Sequence, residues 1–247
     1  MPWRTRRSPY RVFVSEIMLQ QTGIARVQTK YADFLRRFPS FKALAAASVE
    51  EVLAAWKGLG YNRRALALRQ SAIIVSYAHG GRLPRTVEAL TELPGVGQAT
   101  AAAVLVYSYD MPLAFIETNV RRVYLHFFFP DEQGVSDARI MPLVEKTLDT
   151  ERPREWFYAL MDYGTMLAKA MPNPNRRSAH YKRQSAFEGS VRQMRGKVLE
   201  AMLSLKAATQ SGIAAEIGSD DDRLPEALQQ LVTEGFLSLR DGTYYFR

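Results

Sequence analysis

Leu93-Pro94-Gly95-Val96-Gly97-Gln98-Ala99-Thr100 separates two helical patterns. Val87, Leu90 and Leu93 recur at helical spacing before it, and an Ala/Val/Leu-rich run fills positions 100–107 after it. Pro94 with Gly95 and Gly97 makes a tight backbone turn rather than a helix interior. The stretch therefore reads as helix, short hairpin, helix. Without side chains in the turn, backbone N–H groups at the start of the second helix can approach an anion, which the helix dipole also favours. An ordinary turn between two antiparallel helices would use the same residues. The hairpin alone does not choose between these readings.

Composition narrows the choice. The 247 residues allow one or two domains with a substantial core, and the net charge of +8 points to a polyanion, nucleic acid before an anionic membrane surface. There is no cysteine, which removes disulfides, a thiol nucleophile, zinc–thiolate sites and cysteine-ligated iron–sulfur clusters. Three scattered histidines (His79, His126, His180) argue against a dedicated metal site. The basic, polar start does not read as a signal peptide, and no apolar run reaches membrane-spanning length. A cytoplasmic or nucleoid location without a membrane partner is the expectation.

Working outward, the chain reads as almost entirely helical up to position 170. Ser8-Pro9 starts a helix that carries Glu16. Another helix is expected over 22–38, beginning at Thr22 and stopped by Pro39. Ser48-Val49-Glu50-Glu51 is a capping box, and its helix ends at Gly58-Leu59-Gly60, just before Tyr61. An amphipathic basic helix is expected over 62–79, carrying Arg63, Arg64 and Arg69. Beyond the hairpin, Glu117 and Asn119 precede a helix, and Phe127-Phe128-Phe129 reads as core. Helices over 137–148 and 153–169 complete this part, the second carrying Asp162 and Gly164.

The composition then changes. Prolines and asparagines mix with Arg176, Arg177, Lys182 and Arg183, so 171–186 reads as a basic linker. The tail, 187–247, reads as three helices and a hairpin turning on Asp241-Gly242. That is a winged-helix-like α+β module, expected either to contact DNA or to serve as a packing domain.

Pattern alone leaves the chemistry open. Glu16 would have a raised pKa if buried and none if it lies on a polar face. Glu117 reads as a cap, or as a carboxylate able to stabilise a developing cation. Gln20, Gln21 and Tyr61 lie near turns and would fill a disrupted base stack or be ordinary surface.

Taken together, the motifs resemble the helix-hairpin-helix DNA glycosylase superfamily, and within it the MutY-type adenine DNA glycosylases. The resemblance runs over residues 2–170. It rests on Pro2-Trp3-Arg4, Pro9-Tyr10-Arg11-Val12, Ser15-Glu16-Ile17-Met18-Leu19-Gln20-Gln21-Thr22, Trp56-Lys57-Gly58-Leu59-Gly60-Tyr61 and Leu93-Pro94-Gly95-Val96-Gly97, in that order. It implies a two-lobed, mainly α fold and a monofunctional glycosylase that hydrolyses the N-glycosidic bond of a flipped-out adenine opposite 8-oxoguanine or guanine. Its partner would be double-stranded DNA containing a mismatch or lesion, bound by a monomer.

The resemblance also implies roles. Glu16 would protonate the adenine ring. Glu117 would stabilise the oxocarbenium-like transition state, with Asn119 beside it. Arg4 and Asp162 would lie near the base pocket. Gln20, Gln21 and Tyr61 would wedge into the duplex. Gly95, Val96 and Gly97 would hold a phosphate, a site where relatives often add a monovalent cation; no cofactor is otherwise expected. Ala99 stands where bifunctional relatives carry a Schiff-base lysine, which implies little or no strand cleavage.

Four departures matter. Glu117 replaces an aspartate, and misplacing a carboxylate by an ångström can cost about two orders of magnitude in rate. The iron–sulfur cysteines are missing, and the arginines of 171–182 stand where that loop's phosphate contacts would be. The winged-helix-like tail stands where a NUDIX-like domain is expected, and the helix preceding the Pro2-Trp3-Arg4 motif is missing or lies outside this sequence. A glycosylase for mismatched thymine or uracil, or another damaged base, is therefore an alternative. A non-catalytic DNA-binding protein is a second.

Overall fold

The computed structural model describes residues 1–182, 186–219 and 221–247; Arg183, last of the expected basic run, lies outside them. In chain order the α-helices are α1 (Pro2–Thr5), α2 (Pro9–Leu19), α3 (Ile24–Arg37), α4 (Phe41–Ala46), α5 (Val49–Trp56), α6 (Arg63–Ala78), α7 (Val87–Thr91) and α8 (Gln98–Tyr109). They continue with α9 (Thr118–Phe128), α10 (Asp137–Thr147), α11 (Pro153–Ala170), α12 (Val191–Leu205), α13 (Gln210–Ile217) and α14 (Leu224–Thr233). Three short strands, β1 (Ala207–Thr209), β2 (Leu237–Arg240) and β3 (Thr243–Phe246), lie among and after the last three helices. The fold is mainly α, as the patterning predicts.

The chain forms two compact units that do not follow sequence order: Met1–Ile17 with Leu83–Arg183, and Met18–Arg82 with Gln184–Arg247.

In the first unit, α8 supplies the spine. Ala101 to Tyr107 are all buried, so this helix has no polar side to show. Phe115 stacks on Phe157 at 4.0 Å, joining the approach to α9 with α11. Residues 171–182, expected as linker, are packed here. Pro174–Arg177 form a 3-10 turn, Asn175 Nδ2 donates to the Thr118 carbonyl (3.0 Å), and Val135 bridges to Ser178. Arg177 donates to the carbonyls of Leu125 (2.7 Å) and Pro130, which holds its guanidinium at the end of α9. Arg176 is exposed.

The expectation of an aromatic core at 127–129 holds only in part in this unit. Phe129 is core, but Phe127 and Phe128 are exposed at 56% and 46%. Phe127 instead stacks on the exposed Tyr163 at 5.7 Å. An aromatic run at the end of a helix points in several directions, so only part of it can face the core.

The second unit holds α3 to α6 and the tail. The Ser48–Glu51 capping box forms in full. Helix α3 begins at Ile24 with Gly23 as its cap, two residues later than expected. Thr22 is no cap: its hydroxyl lies 3.3 Å from the Leu59 carbonyl and receives Arg64 Nη2 at 2.8 Å. Arg64 itself is buried, contrary to the exposed basic face expected for α6. In the tail, β1–β3–β2 form an antiparallel sheet. Asp241 and Gly242 both take positive φ (48° and 73°), the geometry of a two-residue hairpin turn. The wing is thus as read from Asp-Gly; β1 is an addition that hydrophobic periodicity does not reveal in three residues.

Tail and helices within this unit are joined by ion pairs. Glu234 takes both Arg63 and Arg195, Lys206 pairs with Glu50, and Lys57 with Glu200 (2.5 Å). Residues 187–247 carry seven Lys/Arg against nine Asp/Glu, so the positive excess lies in 1–186. Helix α14, which a winged helix would lay in a groove, has Glu226 and no Lys or Arg. The expected DNA contact by this module finds no basic surface on that helix.

Candidate active site

Glu16 sits on α2, where Val12, Phe13, Val14, Ser15, Ile17 and Met18 are all buried. The helix is enclosed on nearly every side, so Glu16, itself half-buried, lies among apolar neighbours. Burial first and the Glu117 charge second raise its pKa to about 8, against the opposing charge of Arg4. At neutral pH Glu16 is a protonated acid.

Glu117 takes the first of the two readings its sequence context allowed. It is the N-cap of α9: Oε1 accepts from the backbone N–H groups of Asn119 (2.5 Å) and Val120 (2.8 Å). Oε2 lies 3.5 Å from Asn119 Nδ2. Burial raises its pKa, but the Val120 and Asn119 N–H groups, then Arg122 and Arg121, favour the anion. The side chain therefore folds back on its own helix. The two carboxyls have environments that separate their roles, one without a hydrogen-bonded cation and one held by peptide N–H groups.

Asn119 is held from two further sides. Its Oδ1 accepts from Arg122 Nη1 (2.6 Å), its Nδ2 lies 3.7 Å from Met161 Sδ, and Arg122 Nη1 also donates to the Gly164 carbonyl (2.7 Å). A Cβ at Gly164 would stand 2.7 Å from both the carbonyl oxygen and the Cβ of Asn119. Glycine is needed there because α11 and α9 approach at backbone distance. The sequence showed Gly164 within a helix but gave it no such duty.

Arg4 and Asp162 are brought together as a bidentate pair (2.7 and 2.9 Å), and the Arg4 guanidinium lies 4.3 Å from the centre of the Tyr158 ring. Asp162 is the exposed member and Arg4 the sheltered one. Tyr158 stacks in turn on Tyr107 at 4.9 Å and 9°. Both tyrosines escaped sequence reasoning, because each sits in an apolar helix where a ring reads as core. Their signal is electrostatic: Glu16 acts on both hydroxyls.

The hairpin has the geometry its residues imply. Thr86 caps α7 by accepting from the Ala89 N–H (3.2 Å), and Leu90, Leu93 and Val96 turn inward. Gly95 has φ +78°, and Gly97 is the cap residue of α8. Gly95, Gly97 and Ala99 are exposed at the start of that twelve-residue helix. The carbonyls of Leu90 and Leu93 accept turn hydrogen bonds from Leu93 and Val96 (3.1 and 3.2 Å).

In the second unit, Gln20, Gln21 and Tyr61 share one device. Gln21 and Tyr61 both have positive φ (55° and 48°), a conformation costly for residues with a Cβ. Tyr61 is 42% exposed. Beneath them Arg64 donates to the carbonyls of Met18 (2.7 Å), Gln20 and Gly60 (3.0 Å), and Trp56 Nε1 donates to Gly60 (3.0 Å). One buried guanidinium thus ties the 20–22 loop to the 58–61 loop. Burial holds the Arg64 pKa down, at about 10, still charged at neutral pH.

No group of His, Cys, Asp and Glu suited to a metal occurs among the described residues, and an iron–sulfur cluster does not fit a chain without cysteine. Residues 171–182 hold their place by hydrogen bonds instead.

A family model described as HhH-GPD superfamily base excision DNA repair protein matches residues 14–147. The chain is 32% identical to the adenine DNA glycosylase of Mycolicibacterium smegmatis, over 99% of this chain and 90% of that protein. It is 37% identical to the adenine DNA glycosylase of Rattus norvegicus, over 66% of this chain and 34% of that protein. Among solved structures, a thermostable thymine-DNA glycosylase superimposes with a TM-score of 0.62 at 29% identity, covering 68% of this chain and 79% of that one. A non-covalent endonuclease III–DNA complex superimposes with a TM-score of 0.56 at 20% identity, covering 66% and 75%, and shows the shared fold. The chain belongs to the HhH-GPD superfamily of base excision DNA repair proteins, among the adenine DNA glycosylases.

Proposed function

We propose that this chain is a monofunctional adenine DNA glycosylase, acting on adenine mispaired with 8-oxoguanine or guanine in double-stranded DNA. The observation that carries the reading is the pair of carboxyls: Glu16 protonated at neutral pH, Glu117 held as a hydrogen-bonded cap.

The reaction then needs few parts. Extrusion exposes the glycosidic bond. Glu16 gives its proton to a ring nitrogen of the flipped adenine, so the base departs neutral as the C1′–N bond breaks. The Glu117 carboxylate stabilises positive charge on the sugar. Water adds at C1′ and its proton passes to a carboxylate. Asn119 keeps Glu117 in place, and the Arg4–Asp162 pair borders the base pocket. Gln20, Gln21 and Tyr61, on loops clamped by Arg64, fill the vacated stack. Backbone N–H groups of Gly95, Val96 and Gly97, with a monovalent cation, hold a phosphate; the exposed Arg176 adds a further contact. Arg177, engaged by carbonyls, takes a structural role instead. Ala99 offers no amine, so hydrolysis leaves the strand intact.

Single-turnover assays on duplexes with adenine opposite 8-oxoguanine or guanine, and thymine or uracil opposite guanine, test this. Adenine release, with strand breaks only after alkali, is expected. Release of thymine or uracil alone would replace adenine as substrate. DNA binding without release of any base would reduce the chain to a binding protein.

A further inference from the structure

The tail carries no positive excess and α14 offers DNA no basic side chain, so its place against α5 and α6 needs another reason. Its ion pairs are not scattered. Lys57 is the cap residue that ends α5, and Arg63 is the first residue of α6. The two therefore flank the 58–62 loop, which carries Tyr61. Glu200 on α12 takes Lys57 at 2.5 Å, and Glu234, at the end of α14, takes Arg63. Lys206, at the end of α12, takes Glu50 in the first turn of α5. Glu50 and Lys57 are seven positions apart, Glu200 and Lys206 six. At about 1.5 Å of rise per residue, both spacings are about 10 Å. The pairing is crossed in sequence, so α12 runs antiparallel to α5 with its charges in register. Arg195 on α12 holds Glu234 with both nitrogens, which joins the two grips into one frame.

We propose that the tail is a brace for this loop, and that Glu200 and Glu234 are positioning residues that hold Lys57 and Arg63 so that Tyr61 meets the duplex in one orientation. This rests on the reading of Tyr61 as a residue that fills the vacated stack. The loop has reason to be held. Gly58, Gly60 and Tyr61 have φ of +92°, +70° and +48°, and the last is costly for a residue with a Cβ. Arg64 and Trp56 fix its middle, both at the Gly60 carbonyl (3.0 Å). The tail takes its two ends. The cations of these pairs are exposed, Lys57 at 59% and Arg63 at 72%, so each pair adds little to folding. Their effect is on where the loop points. A wedge already oriented in the free protein has less to order when the base leaves the stack, and extrusion is faster for it.

The test is Glu200→Lys in the full chain, which sets like charges at the Lys57 end of the loop. Its control is the exchange Lys57→Glu with Glu200→Lys, which restores the pair in reverse. With 3-fluorotyrosine at position 61 of the free protein, Glu200→Lys should shift or broaden the fluorine resonance, and the exchange should return it. With 2-aminopurine in place of the mispaired adenine, the fluorescence rise on extrusion, at saturating protein, should slow about three- to fivefold in Glu200→Lys and recover in the exchange. Arg63→Gln, which spares the Arg195–Glu234 pair, should slow it by a similar factor. The thermal midpoint of Glu200→Lys should stay within about 3 °C of the native value. An unmoved fluorine resonance, or slow extrusion that the exchange does not repair, overturns the proposal. So does tighter DNA binding by Glu200→Gln with extrusion unchanged, which would make the tail a mask over Lys57. If Tyr61→Ala extrudes 2-aminopurine at the native rate while the resonance follows the exchange, the brace stands and the wedge reading of Tyr61 falls.

Discussion

Two glutamates in this molecule are taken from water in opposite ways. Glu16 enters an enclosed helix with no hydrogen-bonded cation, and its pKa rises to about 8. Glu234 is sheltered too, with 13% of its side chain accessible, but Arg195 grips it with both nitrogens and Arg63 adds a third donor; its pKa falls to about 2. Burial disfavours charge in both, and at Glu234 the two guanidiniums outweigh it. A buried carboxyl without a partner is a proton reservoir and a cost to the fold. One with two guanidiniums is a rivet. Residue type alone therefore says nothing of role; the cations within reach decide it.

The comparison breaks first at Glu234. Glu234→Gln leaves Arg195 in a sheltered site with no charge to meet, and should cost about 2 kcal/mol of unfolding free energy by denaturant titration. The sign of its pH dependence follows from the lowered pKa. The stabilisation is complete above about 4.5 and is lost as pH falls towards 2, so native and variant should converge across that window. Glu16→Gln should do the reverse. A raised pKa makes the contribution complete below about 4.5 and lost as pH rises through about 8. At pH 9 the variant should be more stable than the native chain, by about 1–2 kcal/mol.

Smaller effects sharpen the picture around the site. Gly164→Ala forces a methyl group against the Asn119 backbone and should cost about 1 kcal/mol, with roughly tenfold slower base release as Glu117 shifts with its helix. Smallest of all, Arg240→Ala on the wing should change the salt slope of DNA binding by less than about one, because the tail carries no positive excess. A larger change would restore the module as a DNA contact.

The hairpin and the wing were legible because glycine and proline encode backbone angles directly: Gly95 and Asp241-Gly242 adopt the φ values their types suggest. The site was legible only through the family resemblance. Periodicity could not place Glu16, because α2 is enclosed on nearly every side and has no polar face by which to judge it. Arg64 misled for a related reason: a basic residue in a basic helix reads as surface, while its bonds reach carbonyls on a loop more than forty residues away. Phe127 and Tyr107 show the same limit in opposite senses, a ring assigned to the core that faces water and a core ring whose buried oxygen no periodicity reveals. Such long-range partners are set by packing, which no local pattern carries.

The central claim is that Glu16 is the acid. The pH dependence of single-turnover adenine release tests it most directly, followed in the native chain and in Glu16→Gln. The native rate should hold through neutrality and fall as pH rises through about 8, and the variant should lose about 10² to 10⁴ in rate at neutral pH while still binding DNA. A variant that releases adenine at the native rate, or a native profile flat across pH 8, would contradict it.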